Sequence, residues 1–259
     1  MRISALAAVF LMAAPAAHAV PIDWADWTSS TGGAPFTALG TITTDTATVG
    51  VTYTNPNGVL DLYQGAVDYW ANTRLRDPAT SPYTSLPNAA IGSPGVDNIP
   101  DGTDIIRLRY AGTQTLTFSE AIANPIFAFV SLNGNGYAFD QDFELLSFAG
   151  GNVDGNGVDD NGYWGGSSTT QKQVVEVSPG VFEYRLISTS GEPHGALRFT
   201  GAFDEVTWRS LNAENWNGFT VGIEGTADEV FGTVPLPASL WFLGMGAVAL
   251  AGAARRRAS

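Results

Sequence analysis

Asp104-Ile-Ile-Arg-Leu-Arg-Tyr-Ala-Gly-Thr-Gln-Thr-Leu-Thr-Phe118 and, eight residues on, Ile126-Phe-Ala-Phe-Val-Ser-Leu132 carry the clearest backbone signal in the chain. In the first, Ile106, Leu108 and Tyr110 alternate with Ile105, Arg107 and Arg109, the two-residue period that sends successive side chains to opposite faces of a strand. Ala111-Gly112 interrupts the run as a turn, and residues 113–118 resume it with Leu116 and Phe118 facing inward. The second run is almost wholly apolar, which predicts a central strand covered on both faces or lying under a loop.

Working outward, Asn133-Gly-Asn-Gly136 ends that strand and residues 137–148 read as the next. Residues 173–177 and 181–187 predict a hairpin about Ser178-Pro179-Gly180, and 196–200, 203–208 and 219–224 complete the series. Upstream, residues 41–54 read as a strand ending at the turn Asn55-Pro-Asn-Gly58. Residues 60–73 stay open between loop and one short helix, because Leu62, Ala66, Tyr69 and Trp70 fit a helical face. Prolines at 78, 82, 87, 94 and 100 forbid regular structure and predict a long insertion over one end of the domain. Short strands, frequent turns and little helix indicate an all-β chain, an antiparallel jelly-roll-like β-sandwich over residues 20–233.

Composition narrows the chemistry. All 25 Asp and Glu fall within that body, together with 8 of the 12 Lys and Arg, for a net charge of −17. So acidic a surface repels phosphate backbones, which argues against nucleic acid as a partner and leaves divalent cations and neutral sugars open. The chain has no cysteine, and beyond residue 19 its one histidine is His194 in Ser190-Gly-Glu-Pro-His-Gly195, so thiol nucleophiles and Cys- or multi-His zinc sites are excluded by inventory. Gly and Pro around His194 predict a solvated loop histidine, and no G-x-S-x-G elbow accompanies it.

Carboxylates remain. If residues 137–148 form one strand, Asp140, Asp142 and Glu144 line one face while Phe139, Phe143 and Leu145 face the core. Three like charges in a row need a cation or basic neighbours, and Arg107 and Arg109 are the candidates for salt bridges across the sheet. The same row is the basis for a carboxylate glycoside hydrolase, the third reading of function. Downstream, Asn152, Asp154 and Asn156 stand at positions 1, 3 and 5 of a loop with Gly157 at 6 and Asp160 at 9, the first half of a calcium loop. Tyr163 replaces the bidentate Glu at position 12, so only a looser Ca²⁺ site of hard oxygens survives, beside the plainer reading of a solvated Asn-Gly-Asp turn. Tyr163, Trp164 and Trp216, with Trp70 and Tyr83, are candidate aromatic platforms for a pyranose ring. Together these give the alternative reading, a calcium-dependent carbohydrate-binding module. The bland reading of the aromatics is burial.

The two ends of the chain speak about destination. Met1-Arg2 is a basic n-region, residues 3–14 an apolar h-region, and Ala17-His18-Ala19 a small-residue cleavage site, so a signal peptide over 1–19 would leave Val20 as the mature N-terminus. At the other end Val234-Pro235-Leu236-Pro237-Ala238 precedes an uncharged apolar run over 240–254, then Arg255-Arg256-Arg257. Those fifteen residues rise about 22 Å as a helix, against a hydrocarbon core of about 30 Å, and residues 236–239 bring the run close to spanning. Arginines directly after it keep that end cytoplasmic and everything upstream outside.

Proline motif, apolar run containing Trp241 and Gly244, and arginine cluster, in that order, resemble the tail of the PEP-CTERM proteins in its VPLPA variant, with Leu236 where the commoner form carries Glu. The resemblance implies sorting over 234–259. It implies export, recognition by an exosortase and the secretion machinery, transient anchoring in the membrane, removal of the helix, and delivery to the cell surface or its exopolysaccharide. His194-Gly-Ala-Leu-Arg-Phe-Thr-Gly-Ala-Phe203 and Glu214-Asn-Trp-Asn-Gly-Phe-Thr-Val-Gly-Ile223 also resemble a recurring module of ectodomains in that family. The expectation is an exported structural or adhesive protein without enzymatic equipment.

Overall fold

A computed structural model of the chain describes residues 19–70, 83, 95–149, 169–190 and 193–232. In chain order the strands are β1 (Asp23–Trp24), β2 (Asp26–Ser30), β3 (Phe36–Thr43), β4 (Thr48–Asn55), β5 (Asp61–Tyr63), β6 (Ile105–Leu108), β7 (Gly112–Ala123), β8 (Ile126–Val130), β9 (Gly136–Phe139), β10 (Glu144–Ala149), β11 (Thr169–Ser178), β12 (Val181–Ser190), β13 (His194–Arg198), β14 (Ala202–Ser210), β15 (Asn217–Ile223) and β16 (Gly225–Thr226). One short helix, α1 (Ala227–Phe231), follows them.

The strands form two antiparallel sheets. One has seven strands in the order β10-β13-β8-β15-β6-β5 with β1 beside β15; the other has nine, β11-β12-β9-β14-β7-β4-β3-β2, with β16 beside β7. The molecule is an all-β sandwich. Its core is aromatic and joins the sheets: Phe127 of β8 stacks on Phe219 of β15 at 4.8 Å, and Trp208 of β14 meets both edge-on at 4.9 and 5.0 Å, while Tyr53 of β4 reaches Phe219 at 5.2 Å. Edge-to-face pairs of this kind add about 0.5–1.5 kcal/mol beyond the area they bury.

β8 sits in the middle of its sheet and is buried along its whole length, as its apolar run predicts. Phe127 and Phe129 face the other sheet. Ile126, Ala128 and Val130 face a second cluster, with Ile22, Trp24, Trp70, Tyr83 and Val96 packed over the outer side. The seven-stranded sheet is therefore covered by segments that precede β6 in the chain. The 178–180 hairpin also forms, with Val174↔Tyr184 and Gln173↔Arg185 in register and Gly180 at φ 76° supplying the turn.

Several expected elements differ. Residues 41–54 are not one strand: Thr44 and Ala47 close a turn between β3 and β4, with Thr44 Oγ1 accepting from Ala47 N at 3.0 Å. Residues 137–148 break at 140–143, because β9 belongs to the nine-stranded sheet and β10 to the seven-stranded one, and the chain has to cross the sandwich between them. Residues 60–70 hold β5 and bends, with no helix; Tyr63 packs edge-on to Tyr69 at 5.5 Å and Tyr69 against Trp216 at 5.2 Å, so the apolar spacing serves an aromatic cluster instead. Of the proline-rich stretch, most lies outside the described residues; Tyr83 and Val96 within it are buried.

The sandwich has two unlike poles. At one, the turns over residues 109–112, 131–136 and 211–217 gather beside the starts of β7, β9 and β15, tied by Glu214 N to Arg109 O at 3.1 Å and Leu211 N to Gly136 O at 2.9 Å. At the other, Gly225 pairs with Ala123 and Asp23 with Ile223, and Val20 N donates to Gly95 O at 2.8 Å. There α1 is closed by a capping box in which Thr226 accepts from Glu229 N and Glu229 Oε2 accepts from Thr226 N at 2.6 Å.

Among the described residues no helix is long and apolar enough to cross a membrane. The apolar run over 240–254 lies outside them.

Candidate functional site: a polar cleft at the loop pole

The pole built by the 109–112, 131–136 and 211–217 turns carries a broad, shallow cleft of about 560 Å³ lined by Arg109, Tyr110, Asn133, Gly134, Ala213, Glu214 and Asn215. Three connections distant in sequence build it because β6, β8 and β14 all end on this side. The floor is held by buried amides. Asn135 Oδ1 accepts from Gly136 N at 2.7 Å and from Asn212 N at 2.8 Å, and its Nδ2 donates to Glu214 Oε1 at 3.4 Å. Asn217 donates to the same Glu214 oxygen and accepts from the Tyr137 hydroxyl. The Glu214 carboxylate is thus fixed in orientation from below. Burial, with the charges of Glu214 and Tyr53 adding to it, pushes Tyr137 well above the ordinary tyrosine range and keeps it a neutral donor.

Behind this floor the same pole holds a second polar set inside the core. Tyr53 donates to Gln114 Oε1, Asn55 Nδ2 donates to the Tyr53 oxygen at 3.0 Å, and Gln114 Nε2 donates to Ser210 Oγ at 2.7 Å. Buried polar groups are costly unless paired, and here each finds a partner, so the network specifies how β4, β7 and β14 meet. Above it the rim is open. Tyr110 is 45% exposed, and Arg109 and Asn215 are exposed beside it.

The carboxylate row expected from the sequence does not exist as a row. Asp140 and Asp142 lie in the turn between β9 and β10, exposed, and Glu144 begins β10. Lys172 binds Asp142, and Arg198 of β13 binds Glu144 at 2.8 Å and Glu224 at 3.2 Å. Arg107 pairs with Asp61, not with the row. Without a shared strand the glycosidase geometry has no support, since two carboxylates must face each other across one bond.

His194 is buried at the start of β13, where Nδ1 accepts from Ser131 N at 3.4 Å, and is not the solvated loop residue its Gly and Pro neighbours suggest. Trp70 and Tyr83 are also core residues, edge-to-face at 5.1 Å, and offer no platform to a sugar. Trp216 is half-buried against Tyr69, with Arg107 over its ring at 6.0 Å, and directly follows Asn215 of the cleft.

The candidate calcium loop (Asn152, Asp154, Asn156, Asp160), Tyr163, Trp164, the sorting motif and Ala17 lie outside the described residues. Among the described residues no three His, Cys, Asp or Glu side chains converge as metal ligands. A second cavity, about 480 Å³, lies at the opposite pole and is lined by Asp23, Asp26, Asp101 and Asp104 with Trp24 and Asn98. Burial raises Asp104 against the opposing pull of the Trp27 N–H, and burial plus the charges of Asp45, Glu229 and Asp101 raises Asp23.

Sequence reading passes over the loop-pole cleft. Asn133-Gly-Asn-Gly136 looks like a strand terminator, and only its pairing with Asn212, Glu214 and Asn217 turns it into a floor. The available signal is two Asn-dense turns, 133–136 and 212–217, each closing a strong strand. Fold and site together define an all-β sandwich with a polar loop-end cleft. No family model, curated protein or solved structure matches the chain.

Proposed function

We infer that this chain is an exported protein whose acidic sandwich works as a structural or adhesive element at the cell surface or in the extracellular polysaccharide matrix. Its tail resembles the VPLPA form of the PEP-CTERM sorting signal, and the partners are the secretion machinery, an exosortase and, transiently, the membrane through 240–254. The observation that carries this reading is the ordered tail: Val234-Pro-Leu-Pro-Ala238, the uncharged apolar run, then Arg255-Arg256-Arg257. The jelly-roll reading of the sandwich is supported by the repeated crossings from sheet to sheet along β6 to β10. Mass spectrometry of the mature protein from cells and culture medium tests the proposal: an N-terminus at Val20 and a C-terminus within 234–238 are expected, and a full-length chain uncut at both ends in the cytosol overturns it.

The alternative, a calcium-dependent carbohydrate-binding module, draws on the spacing of Asn152, Asp154, Asn156 and Asp160. Titration calorimetry with Ca²⁺ is expected to give heat in the native chain and none in the Asp154→Ala, Asp160→Ala double variant; equal heats, or none in either, remove it.

A further inference from the structure

Five of the six described basic side chains face a carboxylate: Arg107 faces Asp61, Lys172 faces Asp142, Arg185 and Arg209 share Glu183, and Arg198 joins Glu144 and Glu224. In a body with three acids for every base, that is the expected state of a cation. Arg109 is the exception. It is exposed at the rim of the loop-pole cleft, its backbone carbonyl is held by Glu214 N, and among the described residues its guanidinium has no carboxylate partner. Beside it stands Tyr110, 45% exposed, with Asn133, Glu214 and Asn215 completing the cleft.

Each group has a distinct capacity. A guanidinium fork matches a carboxylate through two parallel hydrogen bonds. A tyrosine ring offers a flat face to the C–H side of a pyranose. Amides both donate to and accept from hydroxyls, while the Glu214 carboxylate is turned into the floor, its Oε1 accepting from Asn135 and Asn217 and its Oε2 buried. The Glu214 charge also repels ligands that carry several negative charges close together, such as sulfated or phosphorylated sugars.

We propose that the cleft formed by Arg109, Tyr110, Asn133, Glu214 and Asn215 binds a hexuronic acid residue of an acidic polysaccharide. The carboxylate lies on Arg109, the sugar ring on Tyr110, and the ring hydroxyls on the two asparagines. The acidic body as a whole favours neutral sugars, and Arg109, the one described Lys or Arg without a carboxylate, reverses that preference locally, because repulsion from charges beyond about 8 Å is screened at physiological salt. The inference names the matrix ligand of the surface protein proposed above and rests on that reading.

Titration calorimetry of the full chain in mild detergent at physiological salt tests it, with trigalacturonate as probe, maltotriose as neutral control and a sulfated disaccharide as charged control. Trigalacturonate is expected to bind in preference to both controls, and Arg109→Ala and Tyr110→Ala are each expected to weaken it by at least about tenfold, with Arg109→Lys losing less than Arg109→Ala. Both side chains are exposed, so unchanged melting temperatures confirm that these variants fold. No heat with trigalacturonate, equal affinity in Arg109→Ala, or a control that binds as tightly as the uronate overturns the assignment. Mature termini cut at both ends in a protein that gives no uronate heat would remove the ligand and leave the sorting proposal intact; an uncut cytosolic chain that binds trigalacturonate would do the reverse.

Discussion

Arg198 and Glu229 show how single side chains hold the pole opposite the cleft. The Arg198 side chain is only 6% exposed and bridges Glu144 of β10 to Glu224 after β15. Its removal leaves two carboxylates without their counter-charge in a largely dry site. Arg198→Ala is therefore expected to cost about 3–5 kcal/mol in urea unfolding, well beyond the loss of a surface ion pair. Glu229 is exposed, yet hydrogen bonds from the Thr46 side chain first, then from Thr226 N and Thr44, hold its carboxyl down to about 2. A folded-state value below the unfolded one means that its contribution is fully present above about pH 4.5 and fades as pH falls toward about 2. Asp23 and Asp104 act with the opposite sign: their raised values make them cost stability once pH rises through their titration. The melting temperature of Glu229→Gln should accordingly change less than the native protein's between about pH 5 and pH 2, and the two curves should converge at the acid end. Parallel curves over that window would show that the capping box does not carry the effect.

The β11–β12 hairpin is an element of two halves. β12 pairs with β9 only from Tyr184 to Ile187, so the hairpin beyond that point stands clear of the sandwich, with Val174, Val177, Val181 and Phe182 46–56% exposed. Leu186, in the paired half, is fully buried. Leu186→Ala should cost about 2–5 kcal/mol, whereas Val181→Ser at the tip should stay within about 0.5 kcal/mol, both read from chemical denaturation. This hairpin was legible in the sequence because Pro179-Gly180 permits few conformations, and β8 was legible because an unbroken apolar run has only a buried place to go. The breaks at 44–47 and 140–143 were not, because neither contains Gly or Pro: the first turn is made by the Thr44 hydroxyl and the second by a change of sheet. The aromatic spacing at 62–70 matched a helix for a similar reason, since its partner, Trp216, lies about 150 residues away in the chain and local periodicity cannot see it. The cleft depends on three such distant meetings, which is why its residues read singly as turn formers.

At the scale of the whole molecule, charge dominates. With 8 cations against 25 carboxylates between residues 20 and 234, the folded body repels itself more than its ion pairs hold it. Raising NaCl to about 0.5 M should therefore raise the melting temperature by a few degrees, because screening removes more repulsion than attraction; a fall would mean that the paired arginines outweigh the excess of acids. The separation of the two poles bears on how such a molecule meets its surroundings. Val20 and Gly232 leave from the side where β15 ends, and the turn bearing Glu214 stands where β15 begins, so the seven residues of that strand set about 23 Å between them. A body moored through either end would hold Arg109 and Tyr110 at its outward tip, clear of whatever it is fastened to and free to reach across to the next surface.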